Sequence, residues 1–352
     1  MAAARRTVGN GREAASQARA AQGELPAPAA PDGERGVRRE RRARPPLPAD
    51  DRRAREPVLS RLVVATGLAL LVLGTTSALG GAFPGRNGGI VFNREHKGNV
   101  DLYLRTARGK VVRLTRWKGL DEYASFSADG KRVAFGRKRA GNEDVYVMSA
   151  SGKGLRRVTR APADESDPTW SPDGLRLAYA SFGQNDEIGS VGVDGQGAAD
   201  LTNNPASDLD PAWSPDGTRI AFASNRDDPK GVAYEIYLMD ADGSGQVRLT
   251  HTPGDDGEPS WSPDGTRIVF VTTTGTSADL AVMDADGSDL TPITHSGHAF
   301  EPAWSPDGTK IAFTSLRAGR GQVYSVNADG TGLRRLTNDR YDDGAPDWQP
   351  LP

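Results

Sequence analysis

Pro211-Ala-Trp-Ser-Pro-Asp-Gly-Thr-Arg-Ile-Ala-Phe222, followed by Glu235-Ile-Tyr-Leu-Met-Asp-Ala-Asp-Gly243 and Val247-Arg-Leu-Thr250, is the stretch that decides the fold. It reads as four short strands separated by turn signals. In the first turn proline presets φ, aspartate bonds its own backbone, and glycine accepts a positive φ. The Asp-x-Asp-Gly run closes a second hairpin. It lacks the twelve-residue spacing and terminal glutamate of a calcium loop, so it is read as a turn.

The stretch is one unit of a repeat. Ser-Pro-Asp-Gly recurs at 171–174, 214–217, 262–265 and 305–308, after a variant Ser-Ala-Asp-Gly at 127–130, with spacings of 44, 43, 48 and 43. An aromatic precedes each serine: Phe126, Trp170, Trp213, Trp261 and Trp304. Trp348, in Pro346-Asp-Trp-Gln-Pro350, stands 44 residues after Trp304. Four-stranded units at such a period specify a propeller. The second-strand element, from Ile90-Val-Phe92 to Ile311-Ala-Phe313, occurs six times. The first unit has no Pro-x-Trp-Ser strand, and the last such strand has no unit. The pattern therefore predicts an all-β, six-bladed β-propeller over 86–352, closed by the C-terminal strand so that no sheet edge stays open. Glu187-Ile-Gly-Ser-Val-Gly-Val193 replaces the aromatic third strand in the third unit, where a looser sheet is expected.

These motifs resemble the PD40 repeat, the WD40-like repeat of TolB-type six-bladed propellers. The resemblance covers about three-quarters of the chain. It implies an extracytoplasmic interaction scaffold of the bacterial cell envelope. The chain departs from TolB where the separate α/β domain would precede the propeller. That place holds an Arg-rich head and an apolar segment.

Residues 1–61 hold 14 Arg, no Lys and 8 acids, with no hydrophobic period, and read as a disordered cytoplasmic head. Residues 62–83 carry no charge. Their length suits a transmembrane signal-anchor, and the apolar run Leu62–Leu73 suits a signal peptide followed by small-residue cleavage sites. Both readings put the basic flank inside and residues 84–352 outside the cytoplasm.

Composition excludes several chemistries. The chain has no cysteine, hence no disulfide, thiolate metal site or thiol nucleophile. Residues 84–352 hold 30 basic and 38 acidic residues, which argues against a nucleic-acid-binding body. No nucleophile elbow, P-loop or His-Glu-x-x-His motif occurs. No cofactor is expected, and a monomer is.

Acids recur ahead of the innermost strand. Asp167, Asp210, Glu258 and Glu301 each precede its proline and would converge at one mouth of the channel. Two readings stand: a site for a basic peptide or cation, because like charges focus the field in a cleft, or caps on the neighbouring blade's backbone. His251 and His295, with His298 near, could hold a metal with Asp255 or Glu301, though solvated loop histidines are the preferred account. Arg94, Arg139, Arg226 and Arg317 follow the second strand and are expected to pair with acids such as Glu143 or Glu235. The function expected is a non-catalytic, membrane-tethered scaffold for an envelope protein or basic peptide. The alternative is a propeller-type lyase or hydrolase acting on an envelope glycan with a metal at the channel mouth.

A C-terminal reporter active only outside the cytoplasm should be active on this chain. Activity confined to the cytoplasm would defeat the export reading.

Overall fold

The structure, a computed structural model, describes residues 82–228 and 230–352. The head at 1–61 and the apolar segment as far as Gly81 lie outside the described residues. Among the described residues no helix is long and apolar enough to cross a membrane.

Twenty-four strands form six four-stranded antiparallel sheets. β1 (Arg86–His96), β2 (Asn99–Arg105) and β3 (Val111–Arg113) belong to blade one. Blade two is β4 (Asp121–Phe126), β5 (Arg132–Arg139), β6 (Asn142–Ser149) and β7 (Arg156–Arg157). Blade three is β8 (Asp164–Trp170), β9 (Arg176–Phe182), β10 (Asp186–Gly192) and β11 (Ala199–Asp200). β12 (Asp208–Trp213), β13 (Arg219–Ser224), β14 (Glu235–Asp240) and β15 (Val247–Arg248) make blade four. β16 (Asp255–Trp261), β17 (Arg267–Thr274), β18 (Ser277–Asp284) and β19 (Thr291–Pro292) make blade five. Blade six is β20 (Ala299–Trp304), β21 (Lys310–Ser315), β22 (Gln322–Asn327) and β23 (Arg334–Arg335). The last strand, β24 (Asp342–Leu351), pairs antiparallel with β1 and is the innermost strand of blade one. Closure by the chain's final strand is thus present as the repeat arithmetic requires.

Each Ser-Pro-Asp-Gly turn is held by its own side chains. In blade three Gly174 N–H donates to Ser171 O at 2.9 Å, Leu175 N–H to Asp173 Oδ1 at 2.9 Å, and Arg176 N–H to Ser171 Oγ at 2.9 Å. Gly174 has φ +66°, a conformation open to glycine. The tryptophan before the turn faces the preceding blade. Trp170 Nε1–H donates to Ser125 O at 3.1 Å, and Trp261 Nε1–H to Ala212 O at 3.0 Å. In three blades the arginine after the turn covers the next blade's indole: Arg132 over Trp170 at 4.5 Å, Arg219 over Trp261 at 5.3 Å, Arg267 over Trp304 at 4.9 Å. Trp170 and Trp261 therefore each join two sheets by burial, a hydrogen bond and cation–π contact. Trp348 differs: it is only partly buried.

Two expectations change. The third blade is not loose, since β9 and β10 pair over seven residues. Gly189 faces Tyr179, and a Cβ there would meet the phenol ring at 2.7 Å. Tyr179 thus fills the space that a Phe–Tyr pair fills elsewhere, as Phe222 with Tyr237 does. The propeller also begins inside the expected 62–83 segment. Ala82 N–H donates to Trp261 O at 3.0 Å and Gly85 N–H to Pro306 O at 3.1 Å. Ala82 joins the cluster between blades five and six, and Phe83 the cluster between blades two and three. Residues 82–85 therefore cross the axis at the end carrying the Ser-Pro-Asp-Gly turns, because burying Phe83 there removes apolar surface from water.

Deleting Ala345–Pro352 removes most of β24 and exposes β1 as a free edge. Losing several kcal/mol of burial should lower the melting temperature by more than about 10 °C in a domain of this size. Unchanged calorimetric melting would refute closure.

Candidate functional site

The four expected acids occupy equivalent places. Each innermost strand carries a β-bulge near its middle, and the residue before the proline sits in the left-handed region: Asp167 at φ +57°, Asp210 at +58°, Glu258 at +55°, Glu301 at +54°. Tyr123 at +55° and Ala345 at +47° hold this place in blades two and one. Left-handed backbone costs a non-glycine residue about 1–2 kcal/mol, so something must hold it.

The neighbouring blade does. Glu258 N–H donates to Asp210 Oδ2 at 3.2 Å, Glu301 N–H to Glu258 Oε2, and Ala345 N–H to Glu301 Oε2 at 2.6 Å. Ala345 has no carboxylate for Tyr123, and Asn93 of β1 takes over: Tyr123 N–H donates to Asn93 Oδ1 at 3.2 Å. The bulge aims the side chains of Asp210, Glu258 and Glu301 at the next blade's equivalent amide. Asp167, Asp210 and Glu258 are buried, and Glu301 keeps partial contact with solvent. Glu301 also accepts the Thr314 hydroxyl at 2.5 Å. Burial pushes its carboxyl up, and the charge of Asp167 adds to the rise. The ring therefore brings these acids within electrostatic range of one another, on the end opposite residues 82–85.

The first residues of three innermost strands form a second set of clasps. Asp164 accepts Glu143 N–H at 2.7 Å, Asp255 accepts Tyr234 N–H at 3.3 Å, and Asp342 accepts Gly321 N–H at 2.9 Å. All three remain half-exposed on the loop-bearing rim.

The arginine pairings differ from expectation. Arg94 binds Asp343 at 2.6 Å and also Asp339. Arg226 binds Asp208 at 2.9 Å. In blade two the pair is Arg137–Asp121 at 2.6 Å, not Arg139. Arg317 bonds Ser315 Oγ and lies over Tyr324. Glu235 pairs with Arg248 of β15, and Glu143 accepts Ser166 Oγ–H. In three blades an arginine thus joins strands one and two while its guanidinium covers the aromatic pair beneath, as Arg226 does over Phe222 and Tyr237. Residue spacing alone could not separate Arg137 from Arg139, which stand two apart and so share one face of β5.

Blade five lacks such an arginine. Burial pushes its acid, Asp256, up to about 6 despite threonine hydrogen bonds. Burial also raises Asp343 to about 6 against the opposing pull of Arg94. Asp347, which accepts Phe126 N–H at 2.7 Å, is raised by burial to about 7.

The expected histidine site does not form. His251, His295 and His298 are exposed, and among the described residues no group of three or more histidines and carboxylates could hold a metal. A feature that the repeat does not announce is an open cavity of about 310 Å³ beside Arg113, Arg116, Trp117 and Lys118, between blades one and two. Its signal is Trp117, the one tryptophan outside the innermost-strand position.

A family model described as the TolB beta propeller domain, PD40, matches residues 80–184, 164–300 and 271–351. Among solved structures, TolB from Acinetobacter baumannii is 20% identical with a TM-score of 0.68, over 75% of this chain and 67% of that one. A putative TolB from Agrobacterium tumefaciens is 25% identical with a TM-score of 0.60, over 74% and 91%. An oligogalacturonate lyase in complex with manganese is 16% identical with a TM-score of 0.53, over 74% and 77%. No curated protein matches the chain.

Stability should peak in mild acid. Asp347, Asp343 and Asp256 have raised folded values, so the stability they confer is complete below about pH 4 and is lost as pH rises through about 6 to 7. The turn acids Asp129, Asp173, Asp216, Asp264 and Asp307 are lowered, and theirs is lost as pH falls. Melting temperature should therefore fall between pH 5 and 8. Asp347→Asn keeps the acceptor for Phe126 and should remove roughly 2–4 kcal/mol of that fall. An unchanged slope in the variant would contradict the assignment.

Proposed function

We propose a scaffold role on one premise: the chain belongs to the PD40 family of TolB beta propeller domains. The role is a non-catalytic, extracytoplasmic one. The apolar segment from residue 62 to the start of the propeller tethers it to the membrane as a signal-anchor, or releases it if the signal is cleaved. The loop-bearing face receives an envelope protein through a basic segment.

The observation that carries this reading is the use made of the axial carboxylates. Asp210, Glu258 and Glu301 each accept a backbone N–H from the next blade. Groups held this way build a rigid ring with fixed negative charge; they are not placed to trade protons with a substrate. The half-exposed rim acids Asp164, Asp255 and Asp342 extend the same sign outward. Charges of one sign around a low-dielectric axis attract a cationic segment and are weakly screened by salt.

The test replaces all four acids: Asp167→Asn, Asp210→Asn, Glu258→Gln and Glu301→Gln. Amide oxygens still accept the backbone N–H groups, so each loss should stay near 1 kcal/mol. Capture of a lysine-rich peptide should drop about tenfold or more while the protein still melts cooperatively. Full retention of capture would reject the axial site. Collapse of the fold, with the rim variant Asp164→Asn, Asp255→Asn, Asp342→Asn folded but no longer capturing peptide, would also reject it.

A further inference from the structure

The propeller is divided by charge. Residues 86–160, blades one and two, hold 18 basic against 7 acidic residues, a net +11. Residues 161–352 hold 12 against 31, a net −19. The acidic remainder suits the axial reading above. The basic part has no role in it.

One loop on the basic part departs from the repeat. After Thr115 the chain reads Arg116-Trp117-Lys118. After the matching threonines the other blades read Arg160-Ala161, Asn203-Asn204, His251-Thr252, His295-Ser296 and Asn338-Asp339. The loop is fixed in place. Trp117 N–H donates to Asp101 Oδ1 at 3.1 Å, its Nε1–H to Lys138 O at 3.2 Å, and Arg137 lies over its ring at 5.2 Å. Arg113 is tied to Asp101 and Arg94 to Asp343. Arg116 and Lys118 are exposed and make no ion pair among the described residues.

The loop separates two cavities that share Arg116 and Trp117. One, of about 310 Å³, is open toward His96, Asn99 and Tyr103. The other, of about 230 Å³, continues along Leu114 toward Met148 and Leu155. The first of them, toward the loop-bearing end, is a groove bordered by a preordered indole and two uncompensated cations.

We propose that this groove holds a short segment of acidic glycan, bearing carboxylate or phosphate groups. The anionic groups pair with Arg116 and Lys118, in charge-assisted bonds that guanidinium favours. The cations alone would serve any anion. The indole of Trp117, which borders the same groove, calls for a flat apolar face as well, and a sugar ring offers its C–H face to it. Asn99 and His96 supply partners for hydroxyls. The −19 remainder limits contact to a short segment and disfavours a long polyanion. A lipid headgroup is disfavoured by geometry, since the chain enters at Ala82 on the end with the Ser-Pro-Asp-Gly turns and the groove opens at the other. This site is separate from the axial acids and does not depend on the reading given for them.

The test titrates the full-length protein with a short oligo-uronate, a phosphorylated hexose oligomer and a neutral dextran, with radical footprinting at Trp117. The uronate or the phosphate oligomer should bind and protect Trp117, and dextran should not; which of the two binds names the anionic group. Arg116→Gln with Lys118→Gln should weaken binding about tenfold, and Trp117→Leu about fivefold. Lys131→Gln with Lys153→Gln, equal in charge but at the opposite turns, should leave it within about twofold. The proposal is overturned if neither oligomer binds, if protection is confined to the Arg-rich residues 1–61, or if the control pair weakens binding equally. Equal affinity for oligo-glutamate or an oligonucleotide of the same charge overturns it too.

Discussion

The pairing of β24 with β1 is the constraint on which the rest of the molecule depends. Arg86 opposes Leu351 and Glu95 opposes Asp342, so the two ends of the propeller segment lie in one sheet. A ring of six twisted sheets with one strand missing would present an unpaired edge and an open seam. With β24 in place, all six blades have an innermost strand. Residues 82–85 depend on the same closure, because they reach the axis only where blades five, six and one are held together. Both ends of the described segment are therefore committed to the ring.

Closure alone leaves the blades free to splay, and the left-handed bulges prevent that. Six residues, from Tyr123 to Ala345, adopt a backbone that costs each of them strain. The strain turns a side chain across the blade boundary, where a carboxylate or Asn93 accepts an amide N–H. The tryptophans and the arginines over them do the same on the turn-bearing end. The outcome is a rigid disc whose titratable groups are largely engaged in structure. It also explains why several buried carboxyls lie well above their ordinary range: geometry holds them in a weakly hydrated place for reasons of assembly.

The repeat makes the fold, and departures from it make the differences between blades. Gly189 beneath Tyr179 preserves packing where the usual pair is absent. Asp347 stands where the other blades carry Ser125, Thr169, Ala212, Ser260 and Ala303, and it clasps Phe126 at the closing seam. Arg116-Trp117-Lys118 breaks the loop pattern on the basic side. Sixfold pseudosymmetry gives each blade the same scaffold, so individuality resides in such exceptions and in the uneven spread of charge.

Sequence by itself determined the all-β class, six blades, the four-strand unit and the use of the last strand to complete the first blade. Turn chemistry and hydrophobic period are local, and a local signal repeated five or six times specifies an architecture. It also located Asp167, Asp210, Glu258 and Glu301 at one level of the ring. Only the tertiary structure decided that these acids are covered and turned toward the next blade, because the bulge that rotates them leaves no mark in composition. It decided that Arg137 and not Arg139 meets Asp121, and that Ala82 and Phe83 belong to the core. Asp347 with Phe126 and Arg94 with Asp343 lie 221 and 249 residues apart along the chain. No periodicity reports contacts at such separations; ring closure creates them.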